Sequence, residues 1–368
     1  MSILRKLILF LNVIASLSLI AAGLCIYVNP ERLWIISFFG LLFPYLLPVN
    51  VFFILFWIVV QLRYTIISFI AMVIILPLIK TYFGFHFNEK LNTSSAPAIK
   101  VMSYNVRNFD LYNWSNEAAT LDKIMMLITS EKPDIACFQE FFNADTGKFE
   151  TISRLMHTKG FKYYSFSKTV TRKHYGSWGV ATFSRYPIIN HGDIKFKNSK
   201  FNSSLFTDIK IDSNIVRVFN AHLQSVYFSK GDYEYLEHIS TDQELHVKPS
   251  RQIVSKIKRA FLLRAPQAIS MHEKIKKSQY PVIVCGDFND TPASFAYHAI
   301  SSTLQDAFIC AGWGIAPTYS LLFFPYRIDY ILCDKHFSVS NYKTHCEDYS
   351  DHYAIECMLS FSSDYKKM

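Results

Sequence analysis

The sequence predicts an α/β protein. Two β-sheets packed face to face with helices outside, a four-layer α/β sandwich, follow about three transmembrane helices. Three observations carry this prediction. The first 83 residues hold three long apolar runs. From residue 99 onward, apolar strand-like runs alternate with segments of helical spacing. Those strands are many and the helices between them few, which favours sheet-on-sheet packing.

The apolar runs come first in the chain. Residues 7–28, "LILFLNVIASLSLIAAGLCIYV", carry no charge and match the roughly 20 residues that cross a bilayer. A second run covers 33–60 and is interrupted by Pro44 and Pro48, as in a kinked span or a re-entrant pair. A third covers about 64–83. The first run is too long for the apolar part of a cleaved signal peptide, and two more follow it. Residues 1–87 are therefore expected to be a multi-pass region in the cell membrane. Arg5 and Lys6 precede the first run and Arg63 precedes the third. Placed in the cytoplasm, they put the rest of the chain on the extracytoplasmic side. Arg32, Lys80 and Lys90 weaken that bias.

Residues 88–98, "NEKLNTSSAPA", are polar and read as a linker into a catalytic domain over 99–368. In that domain "IKVMSYNV" (99–106), "IACFQEF" (135–141), "WGVATFS" (178–184) and "IVRVFNAHLQ" (215–224) read as strands. So do the run from Val282, "YRIDYILC" (326–333) and "YAIECMLSF" (353–361). Helical spacing covers 117–130, 148–159 and about 251–278, and the polar stretch 229–250 reads as a long loop or lid.

Charge and cysteine usage exclude several classes. Residues 1–96 hold six Lys/Arg against two Asp/Glu, and the remainder 32 against 27, so the net +9 divides almost evenly. An excess that small in a large domain suits an anionic substrate but does not announce nucleic-acid binding. Seven cysteines lack paired metal-type spacing. Cys25 lies in a span, and Cys137, Cys285 and Cys333 lie in apolar strands. They read as core residues, with neither a disulfide scaffold nor a zinc site.

The chemistry gathers where strands end. "VIVCGDFNDTPAS" (282–294) passes from a buried strand to Asp287 and Asn289, which an extended chain would project side by side. Thr291 and Pro292 read as an N-cap and first helical position. Other strands share this feature. "VMSYN" ends at Asn105 and "IACFQE" at Glu140. "VFNAHLQ" carries Asn220, His222 and Gln224 at period two, and "YRIDYIL" buries Asp329 in an apolar run. "YSDHYAI" sets Asp351 and His352 just before the last strand. An ionised carboxylate inside an apolar strand is costly unless paired, and His352 is the natural partner for Asp329. Each residue alone has a bland structural reading, whereas together they describe one pocket.

In their order, "SYNV", "CFQE", "AHLQS", "GDFNDTP", "RIDYIL" and "SDHY" resemble the endonuclease/exonuclease/phosphatase superfamily. This is the family of deoxyribonuclease I, abasic-site endonucleases, neutral sphingomyelinases and inositol polyphosphate 5-phosphatases. The similarity runs over about 99–362, and "GVATFSRYPI" (179–188) belongs to it. The resemblance implies a two-sheet α/β sandwich and Mg²⁺-dependent hydrolysis of a phosphate ester, with Mn²⁺ as an alternative ion. It implies Glu140 as principal metal ligand beside Asn105, with Asp351 contributing. Asp287 would orient or deprotonate the attacking water, and Asn289 would donate its amide to the phosphate. His222 would bind phosphate or assist the leaving group. His352 would act as base, acid or clamp, oriented by Asp329.

Two departures narrow the family. Asn289 is followed by Asp290-Thr291-Pro292 instead of the early Arg and Cys-Asp-Arg signature of 5-phosphatases. The strand "WGVATFS" lacks the acid that pairs with the deoxyribonuclease I histidine matching His222, offering only Trp178. The reading that results is a membrane-anchored phosphodiesterase or phosphatase, with a lipid head group favoured as substrate. The "HYGSW" stretch (174–178) and the 229–250 segment are candidates for the pocket rim. An extracytoplasmic DNA or RNA nuclease and a non-catalytic membrane interaction module are the alternatives. No protein partner is implied.

Overall fold

The computed structural model describes residues 3–86, 98–157, 160–197, 199, 201–229, 231–235, 247–319 and 326–362. The expected linker, 88–98, lies almost wholly outside the described residues, as does most of the expected lid. The chain divides into two compact units. One comprises Met1–Phe83, Val226–Ile269 and Asp290–Ala299; the other comprises Gly84–Ser225, Ser270–Asn289 and Ile300–Met368.

In the first unit, helices α1 (Ile3–Leu24), α2 (Ile35–Leu41), α3 (Phe43–Val60), α4 (Thr65–Ile74) and α5 (Leu76–Tyr82) take up the apolar runs. Among the described residues α1 and α3 are long and apolar enough to cross a membrane. A third span results if Leu62–Ile74 and Leu76–Tyr82, bent by 61°, count as one. The run 33–60 breaks at Leu42 and not at Pro48. Pro44 falls in the first turn of α3, where its missing N–H costs nothing. Polar side chains join these helices: Trp57 Nε1 donates to Asn12 Oδ1 (3.0 Å) and Ser16 Oγ to Asn50 Oδ1 (3.0 Å). Ser68 Oγ also donates to Asn50 Oδ1, at 3.1 Å. Apolar surroundings offer such groups no water, so helices that share them associate.

The second unit holds two six-stranded mixed sheets, built from β1 (Ile99–Asn105), β2 (Ile135–Ala144), β3 (Tyr163–Arg172), β4 (Gly176–Ser184), β5 (Ile188–Lys195), β6 (Ser203–Ile211), β7 (Asn214–His222), β8 (Val282–Asp287), β9 (Gln305–Asp306), β10 (Asp329–Cys333), β11 (Phe337–His345) and β12 (Ala354–Phe361). The orders are β11-β12-β1-β2-β4-β3 and β9-β10-β8-β7-β6-β5. Each sheet contains one parallel pair, β1 with β2 and β7 with β8.

The inner faces meet in a core of alternate residues, among them Val101, Cys137, Val218, Ile283, Ile331 and Cys357. The outward residues of the first sheet, such as Met102, Tyr104 and Phe138, pack under α6 (Thr120–Glu131) and α7 (Thr151–His157). Burial on both faces explains why these strands read as continuous apolar runs. Cys25, Cys137, Cys285 and Cys333 are buried free thiols, as expected. Strands β3, β5, β6 and β11 carry no distinct signal. The faces of β3, β5 and β11 are partly exposed and mix polar with apolar residues, and β6 mixes them although it is largely buried.

The long helix α8 (Val247–Lys276) begins four residues earlier than its spacing suggested. After β8 the chain is irregular over 288–294, and α9 (Phe295–Ser301) starts later than Thr291-Pro292 implied. Ser294 Oγ accepts the Tyr297 N–H (3.1 Å) and so supplies the cap.

Candidate active site

Topology brings the strand-end residues together. Asn105 and Glu140 lie toward the C-terminal ends of the parallel pair β1–β2, and His222 and Asp287 at those of β7–β8. Strand β10 runs antiparallel to β8 and sets Asp329 directly opposite Asp287. His352 precedes β12, which runs antiparallel to β1. Six residues remote in sequence thus converge at one end of the sandwich.

Glu140 reaches the site through a distortion of its strand. The β2–β4 register shifts between Phe138 and Phe141, and Glu140 takes φ +46°. Such a bulge re-aims one side chain while the flanking strand keeps its alternation. Asn220 of the other sheet holds the bulge. Its Nδ2 donates to Ala181 O (2.9 Å) and Phe138 O (3.2 Å), and its Oδ1 accepts from Gln139 Nε2 (2.8 Å). Asn220 is thus spent on the sheet interface, and Gln224 turns to the Ser225 carbonyl (3.1 Å). His222 of that polar face enters the site.

Asp287 is the hub. Its Oδ2 accepts from Asn105 Nδ2 and Asn289 Nδ2, each at 3.0 Å, and its Oδ1 accepts the Asn289 N–H at 2.8 Å. Asn289 does not project in parallel with Asp287, as an extended chain would require. It sits at φ +53°, a left-handed conformation that asparagine tolerates, and folds back onto the carboxylate. Its amide also reaches Leu223 O at 3.1 Å. Both His222 Nε2 and His352 Nε2 stand 3.7 Å from Asp287 Oδ2, and His222 Nε2 is 3.8 Å from Glu140 Oε1.

His352 Nδ1 lies 2.8 Å from Asp329 Oδ2, the pairing inferred from the buried acid. Burial alone would lower the His352 pKa. The carboxylates of Asp329, Asp287 and Asp351 outweigh it and hold the imidazole well above its usual range. His222 is pushed the other way, down, chiefly by burial. The surroundings therefore bias the two imidazoles in opposite directions, His352 toward its charged form and His222 toward its neutral one. Burial also raises Asp287. Glu140 is pushed up to about 7 by desolvation and by the neighbouring Asp351 and Asp287 carboxylates.

The Asp351 carboxylate acts on Glu140 from nearby, and Asn105 stands beside them, bonded to Asp287 and to the Arg107 N–H. A pair of carboxylates such as Glu140 and Asp351 suits a hard cation such as Mg²⁺ or Mn²⁺. Among the described residues, Asp287, Asp329 and His352 also gather within 4.8 Å. In that group His352 Nδ1 pairs with Asp329 Oδ2 and Asp287 Oδ2 accepts from two amides, while Asp329 Oδ1 has no hydrogen-bond partner among the described residues.

Several neighbours carried no sequence signal. Arg107 donates its N–H to Asn105 Oδ1 (3.1 Å) and sets Nε 3.4 Å from Asp351 Oδ2. Ser225 Oγ is 3.3 Å from His222 Nε2, and Ser350 Oγ donates to Asn105 O at 2.9 Å. Thr318 Oγ1 accepts both the Ile328 and Asp329 N–H groups at 3.0 Å. Ser225 and Ser350 lie within the motif stretches and Arg107 directly follows one, whereas Thr318 meets the site only in three dimensions.

The fold is shared with solved structures at low identity. One is an endonuclease/exonuclease/phosphatase family protein from Bacteroides thetaiotaomicron, 18% identical over 73% of this chain and 99% of its own, with TM-score 0.50. Another, an endonuclease/exonuclease/phosphatase from Beutenbergia cavernae, is 17% identical over 72% of each chain at TM-score 0.50. A conserved protein of unknown function from Enterococcus faecalis is 17% identical over 72% of this chain and 100% of its own, also at 0.50. No curated protein matches the chain. Residues 5–82 match a domain of unknown function, DUF8431. Residues 102–352 match the Endonuclease/Exonuclease/phosphatase family profile, a span holding every candidate site residue, and the chain belongs to that family.

Proposed function

We propose that the protein is a divalent-metal-dependent phosphoesterase, held in a membrane by its N-terminal helices, that hydrolyses a phosphate ester with a lipid head group. The observation that carries the reading is the convergence of the Asp329–His352 pair, Asp287 and His222 around Glu140 and Asn105. Glu140, Asn105 and Asp351 would hold Mg²⁺ or Mn²⁺, which supplies charge neutralisation at the phosphoryl oxygens. Asp287, fixed by three amide hydrogen bonds, orients the attacking water. His352, kept protonated by Asp329, clamps the phosphate or gives its proton to the leaving oxygen. His222, uncharged, accepts a hydrogen bond from water or donates one to a phosphoryl oxygen, and Asn289 supplies an amide donor.

In this reading residues 99–362 carry the chemistry, and the helices within 3–82 span the bilayer with the site outside the cytoplasm. The membrane location favours a lipid substrate because it confines the site near head groups. The test uses the full chain in detergent, assayed on bis(4-nitrophenyl) phosphate with Mg²⁺ and then EDTA. Turnover should vanish with EDTA and fall at least about 100-fold in Glu140→Ala and His352→Ala. Turnover unchanged in both variants would sink the enzymatic reading. A parallel panel of phospholipid, sphingolipid, inositol phosphate and DNA decides the substrate class, and cleavage of DNA alone would overturn the lipid preference. A reporter fused after Met368 decides the side of the membrane.

A further inference from the structure

The compact unit formed by the N-terminal helices includes Asp290–Ala299, the stretch that directly follows Asn289 in the chain. Contacts inside that unit hold the stretch at several atoms. Ala293 is buried within the helices' own apolar cluster, beside Leu19, Ala22 and Phe43. Its carbonyl accepts from Cys25 Sγ at 3.0 Å, and its N–H donates to Tyr82 Oη at 3.3 Å. Helix α2 approaches so closely that a Cβ on Gly40 would stand 2.1 Å from the Ala293 carbonyl oxygen. Asp290, at the start of the stretch, pairs with Arg264 at 2.7 Å, and both side chains are buried. At the far end the His298 ring meets Tyr27 edge-on at 5.0 Å.

A detachable anchor has no need of such contacts. We propose that the N-terminal helices are a positioning element of the active site: by fixing residues 290–293 they set the backbone from which Asn289 folds back onto Asp287. Gly40 and Tyr82 of those helices are the positioning residues, with Arg264 of α8 holding Asp290, and the inference rests on the roles proposed above for Asp287 and Asn289. The physical route is short. Asn289 occupies a left-handed conformation and bonds Asp287 through its own N–H at 2.8 Å. The next residue is held by a buried ion pair, and four peptide planes separate Asn289 from Ala293, so the segment between them has little slack to absorb a shift of Ala293. This assigns a role to the region that matches a domain of unknown function.

The test uses the full chain in detergent, with Gly40→Ala as the perturbation and Ser68→Ala as the control. Ser68 belongs to the polar network of Asn12, Ser16 and Asn50 in the same helices. Two readouts are taken: hydrogen exchange at the Asn289 amide, and kcat and KM on bis(4-nitrophenyl) phosphate with Mg²⁺. Gly40→Ala should speed Asn289 exchange and lower kcat about tenfold or more at little-changed KM, because small displacements of catalytic groups are costly. Ser68→Ala should leave both near wild type. Wild-type exchange at Asn289 in Gly40→Ala, or a kcat within about twofold of Ser68→Ala, would overturn the proposal. Should Gly40→Ala not fold, Tyr82→Phe, which removes the acceptor of the Ala293 N–H, is read by the same criteria. If the wild type shows no metal-dependent turnover, the proposed function fails. The exchange readout then still decides whether the helices position Asn289.

Discussion

Replacing Asn220 by alanine should loosen the bulge that aims Glu140. The side chain is fully buried and makes three close hydrogen bonds, to Ala181 O, Phe138 O and Gln139 Nε2. Each contributes about 1 kcal/mol net, and a buried partner left unsatisfied adds about 1–3 kcal/mol. Gln139 keeps weaker contacts to Ser103 Oγ (3.3 Å) and Cys137 O (3.2 Å), which offset part of the loss. The sum is about 2–4 kcal/mol of destabilisation. Denaturant titration of the full chain in detergent, followed by tryptophan fluorescence, reads this as a lower midpoint at unchanged slope. A second readout separates aim from stability. If Asn220 holds Glu140 in place, Mn²⁺ affinity measured in the folded range should fall about tenfold, which is roughly 1.4 kcal/mol. A stability cost below about 0.5 kcal/mol would refute the reasoning, since that is the range of ordinary surface changes. So would a large cost with unchanged metal affinity, because the bulge would then be held without it.

Three further outcomes follow from single groups. Asp329→Asn keeps the shape of the His352 partner but removes its charge, and a hydrogen bond to a charged group is worth about 1.5–3 kcal/mol. The kcat should fall about 10- to 100-fold, and a steady-state rate within twofold of wild type would contradict the pairing. Burial alone would raise Glu131, but hydrogen bonds from Lys100 and Lys343 outweigh it and hold the carboxyl down at about 2. Its folded pKa thus lies below its unfolded value, so the stabilisation is present above about pH 4.5 and disappears on acidification toward pH 2. Acid denaturation of Glu131→Gln should be flatter across that window, and an unchanged profile would count against the ion pair. In the parallel pair β7–β8, a Cβ on Gly286 would stand 2.0 Å from the Ala221 carbonyl oxygen. Gly286→Ala should cost about 1–3 kcal/mol or more by thermal unfolding. Gly160→Ala, with open space around its new methyl, should change stability by less than about 0.5 kcal/mol.

Much of the site was legible because its residues violate their local pattern. A carboxylate in an apolar strand, as at Asp329, cannot be explained by burial, and the His352 partner followed from that cost alone. Asn105, Glu140 and Asp287 were visible for the same reason, as polar ends of strands buried on both faces. Asn220 showed the same signal and meant something else. A buried amide that closes a bulge and one that serves a site look alike in sequence, because the difference lies in which carbonyls stand opposite. The start of α9 was misplaced because Thr291-Pro292 makes a good local cap, while residues 288–294 are committed to tertiary contacts that override it.

By itself the sequence determined the apolar N-terminal helices, the two-sheet α/β class and the set of residues that meet at the strand ends. Those follow from hydrophobic periodicity and from the cost of burying charge, both of which act residue by residue. Only the tertiary structure decided that Glu140 is aimed by a bulge held from the opposite sheet, and that Arg107, Ser225 and Thr318 belong to the site's surroundings. It also decided that the stretch after Asn289 packs with the N-terminal helices. Contacts between residues hundreds of positions apart depend on the direction of backbone carbonyls and on sheet register, which no local pattern encodes.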